Sequence, residues 1–439
     1  MHRWLVVTVV LCAALLMPAE SRAADLLEVF AQAQQNDSQY SQVQASARAT
    51  LEQYPQARAQ LLPFIDFTYT TQKNYQHVSK TSVGSTGNGQ YNNTDWSANL
   101  TQPVFHIDRI ISLGQADDRI AQAQAQVDFA LQDLIVRTAS RYFDVLAALD
   151  TLEYTRAARR SLGRQLEQAR KRFEVGVSAI TDVQEAKAGY DRARAAEISA
   201  ENDVDNAREA LREVTANYYK SLAPLKKDIP LKPPEPDNID EWTRVSAQQN
   251  LQIEAARYAS NVARQEIRRV ATEGWLPGLD VVASYGHSDQ GGDFSQDTNT
   301  GSVGIQLNVP IFSGLGVVSR TRESRALYQQ ALDQLTQQQR AAQRETRESY
   351  NNVVSGISSV KALEQAVVSS ETSLEATQAG FDVGTRTAVD VVAGEQSLAQ
   401  ARRDLAVSRY DYIVSTLRLK RAAGTLRPRD LQIVNNWLK

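Results

Sequence analysis

Two aspartates and one arginine are the residues of this chain whose placement asks for an explanation. Asp182 closes the stretch FEVGVSAITDV, Phe173 to Val183, and Asp390 closes FDVGTRTAVDV, Phe381 to Val391. Five of the eleven positions are identical, and the aspartates lie 208 residues apart. Thr181-Asp-Val-Gln184 and Thr387-Ala-Val-Asp390 both fit a helix N-cap with acid in the first turn, where it complements the dipole. Arg386 has no such role, because a cation near a helix N-terminus is mildly unfavourable. Gly176 and Gly384 suit any tight turn. Catalytic constellations are missing: His2, His77, His106 and His287 are isolated, and no HExxH, G-x-S-x-G or G-x-x-x-x-G-K-[ST] occurs. His77 reads as a loop residue and His106 as the residue after a strand, both solvated. The chain is therefore not expected to be an enzyme, and no cofactor or metal site is expected.

The elements that carry these residues come in two copies. Tyr142 with Tyr350, Val145 with Val353 and Gly176 with Gly384 keep the 208-residue offset. Earlier landmarks, Asn36 with Asn250, Pro63 with Pro277 and Asp66 with Asp280, are 214 apart, and Pro103 and Pro310 are 207 apart. Residues 1–23 read as a secretory signal peptide: a basic start, a short apolar run from Trp4 to Leu16 and small residues before Ala24. The single cysteine, Cys12, lies inside it, which leaves the processed chain without disulfides or thiolate metal sites. Removing that segment takes the net charge from −3 to 46 − 50 = −4, which offers no footprint for nucleic acid.

The first repeat is read as 24–228, a proline-rich linker as 229–237 (IPLKPPEPD) and the second repeat as 238–439. Within the first repeat, period-two alternation places strands at about 62–72 and 94–105, then a long helix at about 107–172 and a return helix at about 181–220. In the second repeat the same order gives strands at about 277–287 and 301–312, a long helix at about 316–380 and a return helix at about 388–423. The long segments are rich in Ala, Gln, Leu and Arg, and at about 1.5 Å per residue such a helix is a rod near 100 Å. It would bury a narrow seam, as coiled coils do.

Each strand shows one apolar face: Ile65, Phe67 and Tyr69 in the first, Val303, Ile305 and Leu307 in the last. Two hairpins on a soluble protein are one reading. The other is a membrane barrel, since no further apolar segment is available to cover these faces and lipid could. Four strands cannot close alone, because an open edge is not tolerated in hydrocarbon. A dimer would supply eight strands, filled by side chains, and a trimer twelve, enough for a passage. Pro63, Pro103, Pro277 and Pro310 sit where helix and strand would meet, at the junction of barrel and tunnel.

With LTQPVF and LNVPIF at the junctions, and VGVSAITDVQEA and VGTRTAVDV at the turns, the chain resembles the TolC family of Gram-negative outer-membrane channels over essentially its whole processed length. The resemblance implies a mixed fold, a membrane β-barrel plus a long α-helical barrel: a homotrimer with one 12-stranded barrel and one 12-helix tunnel reaching into the periplasm. It implies a trimeric export duct in contact with outer-membrane lipid, served by a periplasmic adaptor (membrane fusion) protein and an inner-membrane RND or ABC transporter. Multidrug efflux is the leading expectation, a dedicated type I protein secretion outlet the alternative, and a periplasmic helical scaffold or adaptor a further one. By the same resemblance, Val175, Gly176 and Val177 with Val383, Gly384 and Thr385 are adaptor contacts. Thr181, Asp182 and Arg386 form a latch at the periplasmic tip, and Asp390 contributes to an acidic ring at the lumen constriction, which favours cations. Two positions depart from the family pattern: a second lumen aspartate is Ala393 here, and a latch tyrosine is Phe381, which cannot donate a hydrogen bond.

Overall fold

The computed structural model describes residues 23–78, 87–291 and 296–439. The segment read as a signal peptide lies outside them, save for Ala23. Two compact units are present, one made of residues 23–42, 128–250 and 341–439, the other of 43–127 and 251–340.

In the order of the chain, α1 (Leu26–Asn36), α2 (Ser38–Leu51) and α3 (Gln53–Ala59) lead into strands β1 (Phe64–Val78) and β2 (Gly87–Phe105). The long helix α4 (Ile107–Glu174) and its return α5 (Ile180–Thr215) complete the first copy. The second copy comprises α6 (Ile239–Gln249), α7 (Leu251–Trp275), β3 (Gly278–Gln290), β4 (Gln296–Asn308), α8 (Gly316–Asp382) and α9 (Ala388–Ala422), followed by α10 (Pro428–Asn435). No described helix is long and apolar enough to cross a membrane.

The sheet lies in the second unit, in the order β1-β2-β3-β4, with every neighbouring pair antiparallel. Because side chains alternate across a pleated strand, the register sorts the two faces. Ile65, Leu100, Ala283 and Val303 form one row, and Phe67, Ala98, Tyr285 and Gly301 the next. In the next row, Tyr69, Trp96, His287 and Asn299, the face turns polar on β3 and β4, and the Trp96 ring lies against Phe67, Tyr285 and His287 at 6.0, 5.7 and 6.3 Å. Opposite it run Asp66, Asn99, Ser284 and Ser302, bonded Asn99 to Asp66 at 2.9 Å and Ser284 to Ser302 at 2.8 Å. Ile65, Phe67, Tyr69, Tyr285, Val303, Ile305 and Leu307 are all exposed, and among the described residues β1 and β4 are each paired on one side.

Three expectations need correction here. The strands run well past about 72 and begin well before 94, into segments that read as loop. Their Gly, Asn and Thr residues still offer the backbone N–H and C=O groups that extend a hairpin ladder. His77 accordingly falls in β1 rather than a loop. His106 is not a solvated surface residue: it is half-buried, with Nε2 at 2.9 Å from Asp280 Oδ1, and a Cβ on Gly278 would stand 2.7 Å from its ring. The aspartate at the start of β3 thus ties down the end of β2.

The first unit has a helical core that includes Leu134, Ile135, Tyr142, Phe143, Ile413 and Leu417. Here the duplication appears as matched geometry with changed chemistry. α1 and α6 both end on an extended residue of the same conformation, Asp37 (φ −66, ψ 120) and Asn250 (φ −66, ψ 121). Asn250 therefore corresponds to Asp37, not to Asn36 as the sequence spacing suggests. The second copy holds one residue more before its proline, and the first breaks its helix at Glu52, where α7 runs on. Asp37 accepts from Nη1 and Nη2 of Arg137 at 2.9 and 3.0 Å, whereas Asn250 donates to the Ala422 carbonyl at 2.9 Å. Tyr142 donates to the Ala223 carbonyl at 2.8 Å, and its counterpart Tyr350 to Asp237 at 2.6 Å in the linker.

Candidate functional site

Both repeated turns lie in the first unit, and their backbones close in the same way. Gly176, at φ +75, donates to the Phe173 carbonyl at 2.9 Å, and Val177 donates to the Arg172 carbonyl at 2.8 Å. Gly384, at φ +81, donates to the Phe381 carbonyl at 3.2 Å, and Thr385 to the Gly380 carbonyl at 2.8 Å. This paired bonding is a Schellman motif, in which the left-handed residue caps the last helical carbonyls. Nothing stands within 4 Å of a Cβ built on either glycine, so dihedral freedom rather than space demands glycine at both.

Past the glycines the copies diverge. From its sequence, Thr181-Asp-Val-Gln184 fits an N-cap of its own. Instead α5 begins earlier, with Ala179 as N-cap and no side-chain cap, and Asp182 donates its amide to the Ala179 carbonyl at 3.1 Å. The Schellman closure leaves so short a connection that the helix starts before Thr181, which lies exposed in the first turn. At the second turn Thr387 is the N-cap of a full capping box. The Asp390 amide donates to the Thr387 hydroxyl at 3.3 Å, and the Asp390 carboxylate accepts from both the Thr387 amide and its hydroxyl at 2.9 Å. These donors, the amide foremost, hold the Asp390 carboxyl below its ordinary range, with the Arg386 charge adding to the effect.

Within one chain the proposed latch partners do not pair. Asp182 and Arg386 form no salt bridge among the described residues, and the Arg386 stem lies over Gly380, whose Cβ would meet its Cγ at 2.7 Å. The valines of the turns have no apolar cover either: Val175, Val177 and Val383 are 73, 67 and 76% exposed, and Thr385 is exposed beside them.

Below the turns the hairpins pack on small residues. Leu166 and Ala169 of α4 meet Val183 and Ala186 of α5, and Leu162 and Ala193 meet Val392 of α9. A Cβ on Gly189 would stand 2.9 Å from Val392. Ser161 donates to Glu395, a second tie between the hairpins. A contact nearer the tips escaped the sequence reading: the Arg172 guanidinium lies 4.9 Å from the centre of the Phe381 ring. No local pattern could have found it, because it depends on the register between helices from separate copies.

The four prolines belong to the second unit and differ in role. Pro63 and Pro277 immediately precede β1 and β3. Pro103 lies within β2, beside an irregularity in its pairing with β3, and Pro310 lies two residues beyond the end of β4. The described residues hold no cluster of ligands fit for a metal ion.

The chain matches the family described as outer membrane efflux protein over residues 29–217 and 242–425. It is 37% identical to the outer membrane protein TolC of Vibrio cholerae serotype O1, across 95% of this chain and 94% of that protein. The alkaline protease secretion protein AprF of Pseudomonas aeruginosa is 29% identical across 96% of this chain and 88% of its own length. Among solved structures, the CmeC outer membrane channel of Campylobacter jejuni superposes with a TM-score of 0.79 at 15% identity, covering 96% of this chain and 91% of that one.

Proposed function

Because the chain belongs to the outer membrane efflux protein family, whose members are export channels of the Gram-negative outer membrane, we propose that it works as a homotrimer. Its sheet closes with those of two other copies into one barrel, and its helices line a periplasmic tunnel. The observation that carries this reading is the sheet itself: apolar side chains from all four strands share one face, and β1 and β4 each leave one edge unpaired among the described residues. In hydrocarbon every backbone group needs a partner, so the edges must meet other edges. Three copies supply twelve strands, wide enough to leave a passage. A soluble scaffold leaves the apolar face without a purpose.

The turns are the second part of the proposal. Val175, Gly176 and Val177, and Val383, Gly384 and Thr385, present apolar surface to a periplasmic adaptor, which links the channel to an inner-membrane RND or ABC transporter. Thr181 and Asp182 of one copy and Arg386 of the next form the latch. It is supported by Asp182 and Arg386, which form no ion pair among the described residues. Three copies of Asp390 narrow the lumen as an acidic ring that draws cations. The four prolines mark the passage from tunnel to barrel. Multidrug efflux is the leading role, while the likeness to a protein named for protease secretion keeps a type I secretion outlet as the second reading.

Cysteine cross-linking tests the assembly, since the processed chain has no thiol of its own. Tyr69→Cys on β1 combined with cysteines scanned along β4 is expected to give a covalent trimer on oxidation. A ladder that stops at the dimer, or no cross-link at any β4 position, overturns the barrel. Drug susceptibility against export of a secreted protease, in cells lacking their own channel, separates the two roles.

A further inference from the structure

We infer that Arg172 and Phe381 form a cation–π clasp that joins the tips of the two hairpins within each chain and must part when the channel opens. The inference rests on the gate reading of the turns and names a component that the reading lacks. The guanidinium of Arg172, in the last turn of α4, stands 4.9 Å from the centre of the Phe381 ring at the end of α8. That is well inside the roughly 6 Å at which a cation is drawn to an aromatic face. Arg172 forms no salt bridge among the described residues, so the ring is its evident partner.

The two copies show why the clasp has one polarity. Phe173 occupies in the first turn the place that Phe381 has in the second, yet it is exposed, while Phe381 is half-buried. The position of Arg172 is taken in the second copy by Gly380, and there the Arg386 stem fills the space that a side chain would need. Each turn thus keeps one arginine. In the first it projects from the outgoing helix onto the other hairpin, and in the second it lies in the turn itself. A phenylalanine that lacks a hydroxyl to donate is still able to hold the tip, because it offers a ring face instead.

Position gives the clasp its role. The ties farther up, Val392 against Leu162 and Ala193 and Ser161 to Glu395, lie about three turns of α4 from the tip. They can serve as the pivot while the tips separate. Outward movement of the α8–α9 turn away from the end of α4 has to break the Arg172–Phe381 contact.

Planar-bilayer recordings of the purified full-length oligomer test this, with Phe381→Leu, Arg172→Gln, the two combined, Phe381→Tyr and, as the control for the gate, Arg386→Ala. Retention of the oligomer on gels shows that each variant has assembled. Phe381→Leu and Arg172→Gln are each expected to raise open probability by about two- to fivefold per clasp, the worth of an exposed cation–π pair. The double variant should rise no further than either single one, and Phe381→Tyr, which keeps the ring and adds a hydroxyl donor, should open no more often than the unaltered chain. Independent, multiplying effects of the two substitutions overturn the clasp, as does silence of both while Arg386→Ala opens the channel. If Arg386→Ala is silent too, the gate at the turns is wrong and the clasp falls with it.

Discussion

The two VG turns share a backbone and little else. Each ends its long helix with a left-handed glycine and the same pair of hydrogen bonds. At the first, the return helix starts on an uncapped Ala179 and Arg172 reaches out to the other hairpin; at the second, Thr387 and Asp390 lock the helix start and Arg386 stays in the turn. Duplication has kept what a change of chain direction requires and released the charges for separate tasks. The second turn fixes the start of its helix with side chains, and the first turns an arginine onto the other hairpin.

The shared backbone is the part with most to lose. Gly176→Ala and Gly384→Ala each force a Cβ into the left-handed region, at a cost of about 1–2 kcal/mol. Hydrogen exchange at the tip should show losses of similar size, and a loss at one site alone would break the equivalence of the turns. Removing the cap with Thr387→Ala should cost about 1 kcal/mol and speed exchange in the first turn of α9. Ala179→Ser should protect α5 by a comparable amount, making the first turn resemble the second. If Ala179→Ser changes nothing, α5 must be stabilised by something other than its start.

The latch should give a smaller change per site. Arg386→Ala and Asp182→Asn are each expected to raise single-channel conductance, with an exposed ion pair worth at most about 1 kcal/mol in each copy. Unaltered conductance in both would leave the closed tip to the clasp and the packing above it.

The smallest effect concerns pH. Asp390 is held below its ordinary range, so the stabilising contribution of its ionised form is full above about pH 4 and fades only as pH falls through the depressed value. Thr387→Val removes the hydroxyl donor and leaves the amide. The cation preference of the pore, measured as a reversal potential, should then be lost at a higher pH than in the unaltered chain. An unchanged midpoint would place the acidic ring elsewhere.

What could be read from the sequence was whatever is local. A left-handed glycine before a new helix, alternation along Ile65, Phe67 and Tyr69, and long proline-free stretches each announce themselves within a dozen residues. The capping box was legible for the same reason, as Thr387-x-x-Asp390. Its apparent twin at Thr181 misled, because the start of α5 is fixed by how the preceding turn closes and not by the residue best suited to cap. His106 with Asp280, and Arg172 with Phe381, were invisible: each joins segments more than 170 residues apart, brought together only by packing. The polar ends of the strands were missed because backbone pairing, rather than side-chain pattern, carries a hairpin to its tip.

The four-stranded sheet has a bearing on how the protein comes to exist. A newly made chain that holds this sheet carries a greasy surface and two adhesive borders. In the proposed trimer, completion is a meeting of three, with a rate that climbs steeply with the local supply of chains. Until that meeting each one is a target for proteases and a seed for clumping.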